Sequence, residues 1–184
     1  MPRSPDPQLS ERIVNAALRL LDEGGPKVVT MRSVATQAGI AITTIYERFA
    51  DRDALLQAVV ALAQSDLIKT VQSARSVDAF VRTYIRFFCQ YPHRYAVSME
   101  VFYSRLATGE TMPVMGMFKQ LLARQTGLNG SKLNDRTLAI AALTFGSLES
   151  MIAVGPDCER ANDLRRACLS AIRRLTKPAE TKRG

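Results

Sequence analysis

The chain has 184 residues, of which 47% are hydrophobic, so it can bury a sizeable core in one domain or in two. It contains no apolar run of the roughly 20 residues that span a membrane, and its start lacks the basic-then-apolar pattern of a secretory signal. Cys89, Cys158 and Cys168 lie far apart and the chain has one histidine, which argues against a disulfide framework and against a metal site. We therefore expect a cytoplasmic protein with reduced thiols, with no metal, no cofactor and no membrane partner.

The formal charge of +8 favours a polyanionic partner, but the charge is unevenly distributed. Up to Asp53 the chain carries seven basic and seven acidic residues, and all of the excess lies beyond that point. Part of it falls in the final stretch RRLTKPAETKRG, which is typical of a solvated chain end. The evidence for a nucleic-acid partner must therefore come from local motifs.

Almost every apolar series has helical spacing, and we predict an all-α protein of about nine helices. The first opens at Asp6-Pro7, a capping residue followed by a proline, and Gly24-Gly25-Pro26 closes it. The others are predicted over residues 30–39, 41–49, 51–71, 76–91, 95–109, 114–127, 138–154 and 157–175. The polar stretch LNGSKLND, residues 128–135, is predicted to be a loop.

Residues 30–49 predict two short helices joined by a tight turn. Thr30 can cap the first, whose apolar residues recur at helical spacing, and Gly39 suits the left-handed position that ends it. In the second, Ala41, Ile45 and Phe49 share one face, while Ile42, Thr43, Tyr46 and Glu47 share the other. This is the pattern of a helix-turn-helix unit that enters the DNA major groove, although an αα-corner used only for packing has the same pattern.

The flanking residues favour the first interpretation. The first helix carries an Ile, Ala-Ala, Leu pattern ending in Gly, and it is followed by T-x-R, V-A, A-G, T-I-Y-x-x-F and D-R-D-x-L-L motifs in that order. In this respect residues 8–58 resemble the DNA-binding domain of the TetR/AcrR family of transcriptional regulators. Two positions depart from the family: Ala41 stands where a capping serine is usual, and Ala50 where a polar or basic residue is frequent.

Six residues are candidate DNA contacts. Arg32 can reach a guanine edge or a phosphate, and Ile42, Thr43 and Thr44 can contact thymine methyl groups or phosphates. The resemblance implies phosphate contacts for Tyr46 and for Arg52, which lies where the family commonly has a lysine.

Other functional classes are less well supported. The sequence lacks H-E-x-x-H, G-x-S-x-G and P-loop motifs, so we do not expect an enzyme. An architectural or activating DNA-binding protein without an effector remains the alternative. About 130 residues beyond the DNA-binding unit are more than a scaffold needs, and the family resemblance implies that they bind a small molecule.

Two sets of candidate residues lie in that second part. Methionine and aromatic side chains adapt to apolar ligands, and the candidate effector-binding residues are Tyr95, Met99, Phe102, Met117, Phe118, Phe145 and Glu149. Small residues let helices approach closely, and the candidate dimer-interface residues are Ala139, Ala142, Gly146, Ala167 and Ala171.

We thus predict a helix-turn-helix domain over residues 1–50, completed by the start of the fourth helix, and an effector-binding and dimerisation domain over residues 51–184. The expected function is that of a homodimeric repressor, released from a palindromic double-stranded DNA operator by a small, mostly apolar effector.

Overall fold

The computed structural model describes residues 7–110 and 112–177. These residues form nine α-helices and one short 3-10 helix at Pro26–Val28, with no strand, as predicted. The α-helices are α1 (Pro7–Gly24), α2 (Met31–Ala38), α3 (Ile42–Tyr46), α4 (Arg52–Val71), α5 (Val77–Gln90), α6 (Pro92–Ala107), α7 (Pro113–Thr126), α8 (Gly130–Val154) and α9 (Glu159–Leu175). The predicted cap Asp6 and the end of the basic tail lie outside the described residues.

The chain divides into two compact units. The first, which we call the DNA-side unit, runs to Asp66 and also takes in Tyr91–Thr108. The second, the cavity unit, comprises Leu67–Gln90 and the chain from Gly109 onward. The two functional domains expected from the sequence, 1–50 and 51–184, therefore differ in extent from the compact units and stay a prediction.

The core of the DNA-side unit is built from small and branched aliphatic side chains. They come from α1, α2, α3, α4 and α6, and they include Ile13, Ala16, Ala17, Leu21, Val34, Ile45, Leu55, Val59, Ala63 and Val97. Small residues on α1 let neighbouring helices approach closely, and α1 packs against both α2 and α6. Because α6 contributes Val97 to this core, it is part of the DNA-side unit although α5 and α7 belong to the other.

The cavity unit is built around aromatic rings. Helix α8 packs against α5, α7 and α9, and α5 packs against α7 and α9. Phe80 and Phe118 have ring centroids 5.5 Å apart, and Tyr84 lies between Phe88 and Phe145, at 4.9 Å and 6.2 Å. Aromatic pairs at these distances are worth about 0.5–1.5 kcal/mol each beyond the area that they bury.

Several helix ends differ from the sequence prediction. Helix α3 is shorter than the predicted 41–49, and Ala41 at its N-cap has no side-chain oxygen to accept a bond from the first turn. Helix α6 begins at Pro92, since proline is tolerated in a first turn. The predicted loop 128–135 is wrong: α8 begins at Gly130, and Leu133 N donates to Asn129 O in its first turn.

Two helices, α4 and α8, are long and apolar enough to cross a membrane by length and composition alone. This is weak evidence for a membrane protein, because core helices of soluble proteins have the same property. For α8, only 33% of its most apolar 18-residue stretch is buried within the chain. Much of its apolar surface is therefore uncovered in the monomer.

Candidate nucleic-acid interface and effector cavity

The start of α2 is fixed by a reciprocal pair of hydrogen bonds. Ser33 N donates to Thr30 Oγ1 at 3.0 Å, and Thr30 N donates to Ser33 Oγ at 2.9 Å. This is a capping box in which serine takes the place of the usual Glu or Gln. The cap predicted at Thr30 is thus observed, and it fixes the first turn of α2, on which the side chain of Arg32 is exposed.

The turn after α2 has the left-handed residue that the sequence predicts at Gly39. Gly39 has φ 65° and ψ 42°, in the left-handed region that glycine reaches without steric cost. Ile40 N then donates back to Ala35 O at 3.1 Å, which satisfies a carbonyl at the helix end. Helix α3 therefore begins only three residues after Gly39, as a helix-turn-helix unit needs.

Helix α3 divides its residues between core and solvent. Ile45 is fully buried, whereas Ile42 is 38% exposed and Tyr46 is 54% exposed. Thr43 is exposed and Thr44 is half-buried. The outward face therefore offers a branched aliphatic group, two hydroxyl-bearing threonines and a phenol, groups that can contact thymine methyls, base edges and phosphates.

The guanidinium of Arg52, predicted to bind a phosphate, donates hydrogen bonds to two backbone carbonyls of the same chain. Its Nε donates to Val29 O at 2.8 Å and its Nη2 to Pro26 O at 2.5 Å. The planar fork of the guanidinium thus joins the start of α4 to the connector between α1 and α2. We therefore interpret Arg52 as a residue that positions the connector, and Arg32 as an exposed cation on the first helix of the helix-turn-helix.

The end of α1, just before this connector, is bound by a residue of α6. Arg94 Nε and Nη2 donate to the two carboxylate oxygens of Asp22 at 2.8 Å and 2.6 Å, and Arg94 Nη1 lies 3.3 Å from Asp66 Oδ2. The Tyr91 ring centroid is 4.1 Å from the Arg94 guanidinium carbon, within range of a cation–π contact. The Asp22 hydrogen bonds raise the pKa of Arg94, outweighing the opposite effect of burial, so the guanidinium stays charged.

A small cavity lies within the cavity unit. It has a volume of about 20 Å³ and is lined by Phe80, Val81, Tyr84, Val114, Met115, Phe118, Ala141, Thr144 and Phe145. Among the described lining residues none is charged, and Thr144 Oγ1 already donates to Ile140 O at 2.7 Å. A space of this size holds one water molecule, so a larger ligand can enter only if the aromatic rings move apart.

The seven predicted effector residues fall into two groups. Phe118 and Phe145 line the cavity. Tyr95, Met99 and Phe102 are on α6 in the DNA-side unit, Met117 is half-buried on α7 outside the lining, and Glu149 is exposed on α8. The sequence analysis overlooked the α5 residues Phe80, Val81 and Tyr84, because their helical spacing predicted only a core face.

None of the predicted dimer residues is buried in the described chain. Ala139, Ala142 and Gly146 on α8 and Ala167 on α9 are exposed, and Ala171 is half-buried. A Cβ added at Gly146 would meet no described atom within 4 Å. Leu138, on the same helix, is 59% exposed. An apolar face of small residues with an exposed leucine fits burial against another helix.

The described thiols are consistent with reduced cysteines. Cys89, Cys158 and Cys168 are free, and burial raises the pKa of Cys89 and of Cys168 above the ordinary value. Thiols that stay protonated react slowly. The described histidine, cysteine and carboxylate residues form no group of three or more that could hold a metal ion.

The chain is similar to known proteins in the sequence of its N-terminal part and in the fold of most of its length. Residues 13–59 match the sequence model of bacterial regulatory proteins of the tetR family. A TetR transcriptional regulator from Streptomyces coelicolor is 18% identical, with a TM-score of 0.71, covering 90% of this chain and 94% of its own. No curated protein matches the chain by sequence.

Two further similar structures contain a small molecule. The multidrug-binding protein EbrR in complex with imidazole is 20% identical, with a TM-score of 0.67 over 99% of this chain and 96% of its own. A TetR variant from Acinetobacter baumannii in complex with minocycline is 16% identical, with a TM-score of 0.64 over 89% of this chain and 92% of its own. Residues 13–59 therefore match the tetR family in sequence, and the described chain shares its all-α fold with structures of regulators of that family.

Proposed function

We propose that the protein is a cytoplasmic, homodimeric repressor that leaves a roughly palindromic DNA operator when a small, apolar effector binds in the cavity unit. The observation that carries the DNA-binding part is the division of α3, in which Ile45 is buried while Ile42, Thr43 and Tyr46 face solvent. An apolar side chain kept outward on a helix of this motif is explained by contact with base methyl groups. Arg32 and Thr44 complete the proposed contact surface.

Selection of duplexes from a random-sequence pool tests this part. Two recognition helices related by a two-fold axis read half-sites about 34 to 36 Å apart. The selected duplexes should therefore share an inverted repeat with half-sites roughly one helical turn apart, or a multiple of it. Recovery of unrelated sequences would contradict sequence-specific binding, and recovery of a single, unrepeated site would contradict the dimer.

The uncovered apolar face of α8 supports the dimer. Gly146→Leu should push the two α8 faces apart, giving folded monomers that bind the selected duplex poorly. Gly116→Leu adds the same side chain on α7, where a Cβ also meets no described atom within 4 Å, and serves as the control. Sedimentation of both variants decides the matter: a Gly146→Leu dimer of wild-type affinity would show that this face is not the interface.

The chemistry of the cavity supports a neutral effector. A charged group moved into a lining without a charged partner loses its hydration without compensation. Benzyl alcohol, benzoate and benzylamine, which share one ring and differ in charge, form a matched series. We expect benzyl alcohol to raise the melting temperature and to weaken binding to the selected duplex, and the two ions to do neither.

The alternative, a DNA-binding architectural or activating protein without an effector, makes a different prediction. Its cavity would be a packing defect of the aromatic core. Uncharged aromatic and fatty-acyl compounds tested at high concentration would then leave both the melting temperature and the DNA affinity unchanged. A single compound that shifts both in a concentration-dependent way excludes this alternative.

A further inference from the structure

A carboxylate follows the last residue of α3 on the outward side of that helix. Glu47 is the C-cap of α3, with helical φ −66° and ψ −20°, and its N–H donates to Thr43 O at 3.0 Å. Glu47 therefore lies one helical turn beyond Thr43 on the same face, with the two Cβ atoms about 5–6 Å apart. Both residues are exposed. A duplex that contacts Thr43 therefore comes within reach of the Glu47 carboxylate.

The charge of this carboxylate is not neutralised within the described part of the chain. Among the described residues, none forms a hydrogen bond or an ion pair with the side chain of Glu47. Arg48 is half-buried, and the guanidinium of Arg52 donates to Val29 O and Pro26 O instead. Residues 31–53 carry three arginines and three carboxylates, so the helix-turn-helix has no excess of positive charge to offset this group.

Duplex DNA offers few groups that such a carboxylate can bind. Phosphates repel it all along the backbone. In the major groove, guanine presents two acceptors, thymine presents an acceptor and a methyl group, and adenine presents a donor beside an acceptor. Cytosine presents only its N4 amino donor, and glutamate side chains accept hydrogen bonds from that group. An exposed glutamate on a DNA-reading face therefore favours one base and opposes the others.

We propose that Glu47 is a specificity-determining residue, whose carboxylate accepts a hydrogen bond from the N4 amino group of a cytosine in each half-site of the operator. At other base pairs the carboxylate meets an acceptor or stays unpaired near the phosphates, so it lowers the affinity for wrong sequences. The cytosine should lie beside the bases that Thr43 contacts, because the two side chains are one helical turn apart. This inference rests on the proposed DNA-binding function, and it adds a required base to the operator.

Base substitution in the selected duplex tests this assignment. Each half-site should contain a C·G pair whose replacement by A·T, T·A or G·C weakens binding of the wild-type protein about tenfold, within the usual cost of one mismatched pair. Glu47→Gln keeps the length of the side chain and adds an amide donor, and glutamine pairs with adenine. In this variant cytosine should no longer be preferred over adenine at that position. Glu47→Ala removes the contact, so all four pairs should be bound there with similar affinity.

Asp53→Asn is the matched control. Asp53 lies in the first turn of α4 with a side chain 84% exposed, so this change also removes one exposed negative charge from the DNA-side unit. It should leave the preference for cytosine intact, even if the lost charge raises the affinity for every duplex. Thermal melts of the three variants check the folding, and we expect melting temperatures close to that of the wild type because both side chains are exposed.

The outcomes separate base reading from the proposed function. Loss of the cytosine preference in Glu47→Gln and Glu47→Ala, but not in Asp53→Asn, supports the assignment. A half-site without a required C·G pair, or a cytosine preference that persists in Glu47→Ala, overturns it. A common rise in affinity for every duplex in Glu47→Gln, with the preference unchanged, also overturns it, because the carboxylate would then be only a repulsive charge.

These three results leave the sequence-specific DNA-binding protein standing. Equal affinity of the wild-type protein for selected and scrambled duplexes would instead contradict the proposed function, and the role of Glu47 with it.

Discussion

The DNA-side unit and the cavity unit use their side chains in opposite ways. In the first, aliphatic residues fill the core and charged or hydroxyl groups fix each turn, as in the Thr30–Ser33 capping box and the Arg52 bonds to backbone carbonyls. In the second, aromatic rings on α5, α7 and α8 surround a cavity, and α8 leaves apolar surface uncovered. A DNA-reading surface needs fixed geometry, whereas a ligand-responsive unit needs room to change, and this difference should be measurable.

The largest expected effect concerns two neighbouring isoleucines on α3. Ile45→Ala should lower the free energy of unfolding by about 2–5 kcal/mol, because it leaves a void in a close-packed core. Ile42→Ala, three residues away and exposed, should change stability little and lower the preference for the selected duplex. Denaturant melts and anisotropy titrations of both proteins measure this, and equal losses of stability would show that the two faces of α3 are misassigned.

The next largest expected effects are those of replacing Arg32 and Arg52, one on DNA affinity and the other on stability. Arg32→Ala should weaken binding to the selected duplex by roughly 1–3 kcal/mol if it contacts a base edge, with little effect on folding. Arg52→Ala should lower stability by roughly 1–3 kcal/mol, because two carbonyls lose a charged donor. The salt dependence of DNA binding separates the roles: a slope reduced by about 1 in Arg52→Ala would restore Arg52 as a phosphate ligand.

A glycine pair compares the two units directly. Gly25 has φ 76° and lies against His93, so Gly25→Ala should cost roughly 1–2 kcal/mol from backbone strain alone. Gly116 lies inside α7 with no described atom within 4 Å of an added Cβ, so Gly116→Ala should stabilise by roughly 0.5–1 kcal/mol. Thermal melts that show both changes to be destabilising would contradict the expected freedom for a side chain at Gly116.

The smallest expected effect is one of pH. Burial alone would raise the pKa of Asp78, but hydrogen bonds from Arg173 and Arg82 outweigh it and lower the pKa below its ordinary value. A lowered folded-state pKa contributes stability above the unfolded-state value, which is lost as the pH falls through the folded-state pKa. Asp78→Asn should therefore reduce stability by less than about 1 kcal/mol at neutral pH, because both arginine partners are more than half exposed and solvent screens the interaction, and by less still in acid.

The sequence predicted the DNA-side unit better than the cavity unit for a physical reason. Caps, glycine stops and helical spacing are local, so Thr30, Gly39 and Ile45 could be placed before any packing was known. The bonds of Arg52 to the carbonyls of Val29 and Pro26 were not predicted, because these residues lie 23 and 26 positions away in the chain. A hydrogen bond between residues so distant in sequence cannot be predicted from a local sequence pattern.

The cavity depended still more on packing. Methionine and aromatic residues close in sequence drew attention to Met99 and Phe102, but α6 packs on α1, and the cavity forms where rings of α5, α7 and α8 meet. The hydrogen-bonded pair of Arg94 and Asp22 was missed for the same reason, since the two residues lie 72 positions apart in the chain. The partners of a buried arginine in the first turn of a helix can be identified only from the packing of the surrounding helices.

The central claim, that the outward face of α3 reads a DNA sequence, is tested most directly by the affinity of the wild-type protein for its selected duplex and for a scrambled duplex of equal length and composition. At physiological salt we expect the selected duplex to bind at least about 10³-fold more tightly, the lower end of the range for sequence-specific proteins. Equal affinity for the two duplexes would contradict it.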